Sequence, residues 1–273
     1  MHWASLTIGC LGAGAMAEAI LGGLAGSGMV RPDQLLASDA NPGRLDYLQK
    51  KLGLKAAHNN VDLVKRANVI ILAVKPKVMA HVLSEAGSLI KGGQTVISIA
   101  AGITTSFIEQ YLPEGVPVCR VMPNTPALVG AGASAVCAGS SAGEDSISMA
   151  LAICSSFGRA VVVDEDLMDS VTGLSGSGPA YMYLIAEAMA DAGVKMGLPR
   201  DVALTLGTQT MLGAARMVLE TGEHPARLKD MVTTPGGTTI AGLFALEDGK
   251  LRSAIMKAVQ AATERSRELS QVK

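Results

Sequence analysis

The sequence predicts an α/β domain followed by an all-helical domain, and three observations support this prediction. Up to about Asp164, short β-branched runs alternate with stretches of helical spacing, which is the pattern of βαβ units around a parallel sheet. The apolar runs are continuous, as in strands that are buried on both faces. After Asp164 the β-branched runs end, and Ala, Leu, Met, Glu and Lys dominate. We therefore expect domains at residues 1–164 and 165–273.

Strands and helices are predicted in turn along the first domain. Short apolar runs predict strands at Leu6–Leu11, Leu35–Ser38, Val69–Val74, Thr95–Ile99, Val116–Val121, Ala133–Ala138 and Ala160–Val163. Apolar residues three or four positions apart predict helices at Met16–Ser27, Arg44–Leu52, Val61–Ala67, Val78–Ile90, Thr105–Tyr111 and Asp145–Phe157. This order indicates a doubly wound sheet with helices on both faces.

The second domain is predicted to consist of helices that are too apolar for a lone surface. Its longest helix is expected over Pro179–Met196, where Tyr183, Glu187 and Ala190 fall at helical spacing. Helices with apolar residues on most sides are expected to pack against a second copy of the chain. The sequence therefore predicts an all-α dimerisation domain.

A glycine-rich turn after the first strand indicates a dinucleotide cofactor. Gly12–Ala17 has the form G-x-G-x-x-A between a strand and a helix. Gly12 permits the tight turn, Gly14 lets the backbone approach a pyrophosphate, and Ala17 lets the helix pack on the strand. The N-terminus of that helix supplies free N–H groups and partial positive charge. The first domain is thus expected to be Rossmann-like.

The end of the second strand leaves the choice of coenzyme open. Asp39 favours NAD if its carboxylate faces the ribose, whereas Ser38 and Arg44 favour the 2′-phosphate of NADP if Asp39 turns away. Alternatively, these residues bind no coenzyme, and Asn41 or Asp39 simply caps the next helix. Three later loops, at Lys75, Ser98–Gly102 and Asn124–Thr125, are expected along the same edge of the sheet.

Two motifs in the helical domain are candidates for substrate binding. Gly173–Tyr181 places glycines and serines before the longest helix, where Ser177 is either a helix cap or part of a ligand cradle. Val232–Ile240 also leads into a helix, whose N–H groups could receive a carboxylate without an arginine. A plain turn capped by Thr238 or Thr239 is the alternative there.

Composition excludes several classes of protein. A formal net charge of −1 and only three Phe, four Tyr and one Trp give no basic patch and little stacking surface, so no nucleic acid partner is expected. The four cysteines match neither a zinc pattern nor a CxxC pair, so we expect reduced buried thiols and no metal site. Ala4–Ala25 lacks the basic start of a signal peptide, and prolines and glycines interrupt residues 121–143. The protein is expected in the cytoplasm, without a membrane partner.

The candidate motifs lack an evident strong acid or base. None of the four histidines falls within them, and the two helical-domain motifs contain no lysine or carboxylate. Oxidation of an alcohol needs a base that takes the hydroxyl proton. Reduction of a C=N bond needs orientation and at most a hydroxyl donor, because an imine is partly protonated near neutral pH. The sequence therefore favours an imine reductase.

Taken together, the motifs resemble those of pyrroline-5-carboxylate reductases over essentially the whole chain. The similarity lies in Ile8–Met16, Ala73–Pro76, Ser98–Gly102, Met122–Pro126, Leu174–Tyr181, Gly193–Pro199, Leu228–Asp230, Thr234–Thr239 and Arg265–Leu269. The resemblance implies NAD(P)H-dependent reduction of 1-pyrroline-5-carboxylate to L-proline, the last step of proline biosynthesis. It also implies a homodimer, assembled further into a decamer, with an active site shared between subunits.

The resemblance also implies roles for individual residues. Cofactor contacts are expected at Leu11, Gly12, Ala13, Gly14, Ala15, Met16, Ser38, Asn60, Val74, Lys75 and Ala101. Substrate contacts are expected at Ser177, Gly236, Gly237 and Thr238, and Thr239 is the expected catalytic residue, with its hydroxyl near the ring nitrogen. NADPH is the coenzyme that the resemblance favours. Asp39 and Met231 depart from the family pattern, and Asp39 keeps NADH open.

Two other functions are compatible with the layout. A β-hydroxyacid-dehydrogenase-like oxidoreductase would use a lysine in the helical domain, but the nearest lysine after the Ser177 motif is Lys195. A dinucleotide sensor without turnover would need only the Rossmann half. The second ligand motif at Gly236 argues against a sensor.

Overall fold

The computed structural model describes residues 3–271, and within them one eight-stranded sheet is flanked by helices. The strands are β1 Ile8–Leu11, β2 Leu35–Ser38, β3 Lys55–Ala56, β4 Val69–Leu72, β5 Thr95–Ser98, β6 Val118–Met122, β7 Gly132–Ala138 and β8 Gly158–Val162. The helices up to β8 are α1 Ala15–Gly26, α2 Pro42–Leu52, α3 Asn60–Arg66, α4 Met79–Ala86, α5 Thr105–Glu109 and α6 Glu144–Ser155. Those that follow are α7 Met168–Val171, α8 Gly178–Lys195, α9 Arg200–Thr221, α10 Pro225–Met231, α11 Thr238–Asp248 and α12 Leu251–Gln271.

The order of the strands places β1 at the point where the chain reverses direction across the sheet. The order is β3-β2-β1-β4-β5-β6-β7-β8, so β1 pairs in parallel with both β2 and β4. The last residue of β1, Leu11, is in register with Ser38 and Leu72. The carboxyl ends of these three strands therefore meet at one edge, which we call the carboxyl edge. In open α/β sheets this crossing is where ligands bind.

The predicted α/β class, the seven predicted strands and the predicted helices are confirmed, with two differences in the sheet. The two-residue strand β3 was not predicted, because so short an edge strand gives no periodic signal. Strand β7 pairs antiparallel with β6, although the sequence predicts a parallel sheet. Only residues 123–131 separate these strands, which is shorter than the crossover that a parallel pair requires.

Alternate residues of the central strands belong to different cores, as the two-residue period of a strand requires. In β4, Val69 and Ile71 pack in the core that also contains α1 and α6. Ile70 and Leu72 pack in the opposite core, with α3 and α4. The sheet is thus covered on both faces, which explains the continuous apolar runs of its strands.

The four cysteines are buried free thiols, as the sequence predicts. Three of them, Cys10, Cys119 and Cys154, belong to the core that contains α1. Burial is the main cause that raises the pKa of Cys10 to about 12. A thiol with such a pKa is almost entirely protonated at neutral pH and is a poor nucleophile.

The chain forms two compact units. One contains residues up to Ser177 and from Ala261 onward, and the other contains Gly178–Gln260. The predicted domain limits, 1–164 and 165–273, rest on the change in residue composition after Asp164 and stay a prediction. The compact units differ from these limits at α7 and at the end of α12. Both are helical by sequence yet belong to the unit that contains the sheet, where Ser266 Oγ of α12 donates to Asp169 Oδ1 of α7 over 2.6 Å.

The unit formed by Gly178–Gln260 exposes a large apolar surface. Leu184 of α8 is 67% exposed and Phe244 of α11 is 76% exposed. Helix α9 is long and apolar enough to span a membrane by length and composition alone, with a mean hydropathy of 1.2. A helix that packs on a second copy of its own chain has the same composition, so this single helix is weak evidence for a membrane.

A charged cluster joins α1 to α2 on the outside of the first unit. Glu18 accepts hydrogen bonds from Arg44 Nη2 (2.8 Å), Lys51 Nζ (2.8 Å) and Tyr47 Oη (2.9 Å). Burial by itself raises the pKa of Glu18, but these hydrogen bonds outweigh it and lower the pKa from 4.5 to about 2. The folded state therefore binds the proton of Glu18 more weakly than the unfolded state does.

We predict that the contribution of Glu18 to stability is present above about pH 4.5 and is lost as the pH falls towards 2. Glu18→Gln should lower the free energy of unfolding by of order 1 kcal/mol at pH 7. The difference from the parent protein should shrink on acidification, as urea titrations between pH 7 and 2 would measure. Asp46→Asn, at an exposed carboxylate of α2, is the matched control. A difference that stays constant with pH would contradict the prediction.

Candidate active site

The two glycines of the turn after β1 have different structural reasons to be glycine. Gly12 has φ +103°, and a Cβ atom there would lie 2.6 Å from the carbonyl oxygen of Ala73. Its N–H donates to the carbonyl oxygen of Ser38 over 2.7 Å. Gly14 has φ −71° and nothing within 4 Å of the position of a Cβ. Gly12 is therefore required by the turn itself, whereas Gly14 leaves open space above the backbone.

The start of α1 offers uncapped N–H groups beside that open space. Gly14 is the N-cap residue and has no side chain that could accept from them. The first N–H that bonds along this helix is that of Glu18, to the carbonyl oxygen of Gly14 over 3.0 Å. The N–H groups of Ala15, Met16 and Ala17 therefore have no partner within the helix. Such a helix start binds phosphate through its N–H groups and its dipole.

A cleft of about 550 Å³ opens beside this turn, at the carboxyl edge. We call it the first cleft. It is lined by six of the residues that we expected to bind the cofactor, namely Gly12, Gly14, Ser38, Asn60, Val74 and Lys75. Of the other expected residues, Leu11 and Ala13 are buried in the strand and turn, and Ala15 and Met16 begin α1. The open glycine, the free N–H groups and the cleft together fit a dinucleotide.

A second cleft, of about 470 Å³, lies in the same compact unit. Its lining includes Ala101, which follows β5, and Ser177, together with Arg265 and Ser266 of α12. The structure thus brings an expected cofactor residue and an expected substrate residue to one cleft. Arg265–Leu269 is one of the motifs that carry the family resemblance, but the sequence does not place it beside Ser177, because more than eighty residues separate the two.

Ser177 follows a π-helical turn, Thr172–Gly176, that interrupts the helical backbone before α8. Its backbone is helical (φ −85°, ψ −19°), unlike the extended backbone of a typical N-cap. Single π-turns of this kind are frequent at functional sites. Asn124 supports the turn, since its Nδ2 donates to the carbonyl oxygen of Ser175 (3.0 Å) and its Oδ1 accepts from the N–H of Ala133 (2.9 Å).

The expected substrate motif at Gly236–Thr239 lies in the other compact unit. Gly236 has φ +67°, and the N–H of Gly237 donates to the carbonyl oxygen of Thr234 over 3.1 Å. Gly237 is the N-cap of α11, so neither Thr238 nor Thr239 caps the helix. The N–H of Gly237 is therefore used within the turn. The donors without an intrahelical partner are those that begin α11, from Thr238 onward.

The structure gives the hydrogen-bond partners of Asp39, Asn41 and Arg44, whose roles near the end of β2 the sequence left open. Asp39 accepts from the N–H of Ala13 (2.6 Å) and from that of Asn41 (2.8 Å). Asn41 caps α2 by accepting from the N–H of Gly43 over 3.0 Å. Arg44 Nε donates to the carbonyl oxygen of Ala13 (2.8 Å), and its Nη2 bonds Glu18. Arg44 thus does not line the first cleft, and the expectation that it could hold a phosphate has no support in this geometry.

Sequence reasoning missed four polar residues of the first cleft, one of which is Asn59, the N-cap residue of α3. His58 and His81 line it, although the sequence assigns no histidine a role, and Glu85 of α4 lines it as well. His58 follows the unpredicted strand β3, so its place at the carboxyl edge could not be deduced. No group of three or more His, Cys, Asp or Glu side chains in the described part of the chain could hold a metal ion.

The sheet order, the glycine turn and the first cleft define a Rossmann-fold dinucleotide-binding protein. A family model described as NADP oxidoreductase, coenzyme F420-dependent, matches residues 7–102. A second model, described as pyrroline-5-carboxylate reductase dimerisation, matches residues 165–269. The N-terminal NAD-binding domain and the C-terminal helical dimerisation domain predicted from the sequence are thereby confirmed.

Relatives and solved structures agree with these family models. The chain is 49% identical to a pyrroline-5-carboxylate reductase of Methanosarcina acetivorans over 96% of this chain and 97% of that one. It is 42% identical to one of Escherichia coli over 96% and 98%. The structure of such a reductase from Coxiella burnetii has a TM-score of 0.93 and 37% identity, covering 97% of this chain and 98% of that one. The chain belongs to the pyrroline-5-carboxylate reductase family.

A further solved structure bears on the cofactor. The reductase of Plasmodium falciparum, solved with NADP bound, has a TM-score of 0.84 and 31% identity, covering 97% of this chain and 98% of that one. The family resemblance stated from the motifs is therefore confirmed, and the chain is an NAD(P)-dependent oxidoreductase.

We predict that Ala substitutions at the two glycines of the turn have different effects, one on stability and the other on coenzyme binding. Gly12→Ala should lower the free energy of unfolding by about 1–3 kcal/mol, because its φ and the Ala73 carbonyl both oppose a Cβ. Gly14→Ala should change stability by less than about 0.5 kcal/mol yet weaken NADP⁺ binding, because its methyl group fills the approach to the α1 N–H groups. Urea denaturation and calorimetric titration with NADP⁺ measure the two effects. Equal destabilisation by both variants would refute this division.

Proposed function

We propose that this protein transfers hydride from NADPH to the C=N bond of 1-pyrroline-5-carboxylate and so forms L-proline. The observation that supports this most directly is the start of α11. There, free N–H groups follow a glycine turn that contains no charged side chain, in a segment matched by the family's dimerisation model. The names of the relatives, at up to 49% identity over nearly the whole chain, support the same substrate.

The residues of the first compact unit would bind and orient the coenzyme. The N–H groups of Ala15 to Ala17 would hold its pyrophosphate, and Lys75 would contribute positive charge in the first cleft. Ala101 is small and would leave room for the nicotinamide ring beside Ser177 in the second cleft. When bound, the coenzyme supplies the hydride. The protein's task is then to hold the ring in place and to exclude competing reactions.

The turn before α11 would hold the carboxylate of the substrate. The N–H groups at the start of α11, beginning with Thr238, and the helix dipole favour an anion at this point. Neutral donors are sufficient, because each bond from an N–H to a carboxylate is charge-assisted. Gly236 has nothing within 4 Å of the position of a Cβ, which would let the anion approach the backbone closely. This arrangement would orient the ring without placing a second full charge beside it.

Thr239 would be the catalytic residue. It is the second residue of α11 and is half-buried, so the helix backbone sets the position of its Cβ atom. That hydroxyl would donate to the ring nitrogen as the nitrogen gains electron density during hydride transfer. A stronger acid is not required, because the imine is partly protonated near neutral pH.

We predict that Thr239→Val, which keeps the shape of the side chain and removes its hydroxyl, lowers kcat by one to two decades, or about 1.4 to 2.7 kcal/mol. Thr238→Val keeps its backbone N–H and should change kcat much less, so it serves as the matched control. Steady-state rates at saturating substrate measure both. Unchanged turnover in Thr239→Val would remove Thr239 from the mechanism.

The assembly and the place of action follow from the same proposal. The exposed apolar surface of α8 and α9, together with the matched dimerisation model, supports a homodimer. We expect these dimers to assemble further into a decamer in the cytoplasm, as the family resemblance implies. Light scattering of the purified protein would measure the assembly.

One assay separates the proposed function from its rivals. Mixing the protein with NADPH and 1-pyrroline-5-carboxylate should lower the absorbance at 340 nm, with formation of proline. A β-hydroxyacid dehydrogenase would instead reduce NADP⁺ with a β-hydroxy acid. A dinucleotide sensor would bind NADPH without turnover in either assay. Repeating the first assay with NADH measures the coenzyme preference.

A further inference from the structure

A chain of hydrogen bonds crosses the first cleft from α4 to the end of β2. Asn60 Nδ2 donates to Glu85 Oε2 over 2.7 Å, and Ser38 Oγ donates to Asn60 Oδ1 over 2.8 Å. All three residues line the first cleft. Ser38 is buried, Asn60 is half-buried and Glu85 is exposed. The chain therefore links a surface carboxylate to a buried hydroxyl at the end of β2.

The carboxylate of Glu85 fixes the direction of every bond in this chain. An ionised carboxylate only accepts hydrogen bonds, so Asn60 must turn its Nδ2 towards Glu85. Its Oδ1 then faces Ser38 and only accepts, so the single hydrogen of the Ser38 hydroxyl points to Asn60. Ser38 is left with lone pairs alone for a ligand. If Glu85 could also donate, Asn60 could turn over, and the Ser38 hydrogen would be free.

The end of β2 is where Rossmann domains distinguish the two coenzymes. A ribose 2′-hydroxyl can donate to the lone pairs of Ser38, whereas a 2′-phosphate needs donors. Asp39 offers no donor there either, since it accepts from the N–H groups of Ala13 and Asn41.

We propose that Glu85 is a specificity-determining residue, which limits the preference for NADPH over NADH by making Ser38 a hydrogen-bond acceptor through Asn60. This proposal rests on the proposed function only in that the first cleft holds the ribose next to the adenine. Glu85 acts through Asn60 and Ser38 and is a positioning residue. Its negative charge would oppose the 2′-phosphate as well, so the experiment has to separate orientation from charge.

The test measures the dissociation constants of NADP⁺ and NAD⁺ by calorimetric titration of the full-length protein. In Glu85→Gln, the amide can donate or accept, so Asn60 can turn over and Ser38 can donate. We expect NADP⁺ to bind about three- to tenfold more tightly relative to NAD⁺, the effect of about one hydrogen bond. Because Glu85 is exposed, the substitution should leave the melting temperature nearly unchanged.

Repeating the substitution in a Ser38→Ala variant separates an effect of hydroxyl orientation from an effect of the Glu85 charge. In Ser38→Ala no hydroxyl is left to orient, so Glu85→Gln should leave the ratio of the two dissociation constants within about twofold. Glu114→Gln makes the same chemical change at an exposed residue outside both clefts and should leave the ratio as it is. High salt should reduce the change in this ratio if the change is caused by charge, and should leave it unaltered if it is caused by the orientation of Ser38.

The titrations distinguish failure of the proposed role of Glu85 from failure of the proposed function. An unchanged ratio in Glu85→Gln, or a change that persists in the Ser38→Ala background, would overturn the orientation of Ser38 by Glu85. These titrations need no imine, so either result leaves the proposed reduction standing. Failure of the parent protein to bind either dinucleotide would instead refute the proposed function. A selective gain for NADP⁺ that requires Ser38 would support the proposal.

Discussion

The site depends on the close approach of Gly12 to the carbonyl of Ala73. Because no side chain separates them, the turn after β1 lies directly against the end of β4, and α1 starts immediately beyond it. The free N–H groups of α1 therefore face the crossing point of the sheet rather than solvent at large. This contact forms one wall of the first cleft, and its other walls are the residues after β2 and β4, the start of α3 and one side of α4.

The regular parts of this fold could be predicted from sequence because each has a local cause. The buried strands show as continuous apolar runs, and the turn at Gly12 and Gly14 shows as a spacing of glycines. Strand β3 and the antiparallel direction of β7 could not be predicted in the same way. The first is too short to show a period, and the second depends on the length of a loop rather than on its residues.

The candidate site was predictable only where one segment supplies it. The N–H groups of α1 and α11 follow from their own glycine turns, and Ser177 follows from its motif. The roles of Asp39, Arg44 and Glu85 depend on partners 25 or more positions away, such as Ala13, Glu18 and Asn60. The direction of the hydrogen bond at Ser38 of β2 is set by Glu85 of α4, and no local sequence pattern indicates it.

The last helix has a consequence for how the protein can be divided. Helix α12 begins in the compact unit of Gly178–Gln260 and ends in the unit of the sheet, where Arg265 and Ser266 line the second cleft. A nucleotide-binding half cut from the chain at residue 164 would lack that wall. The Rossmann half of this protein is therefore not a portable module, because one wall of its second cleft is synthesised only after α8 to α11.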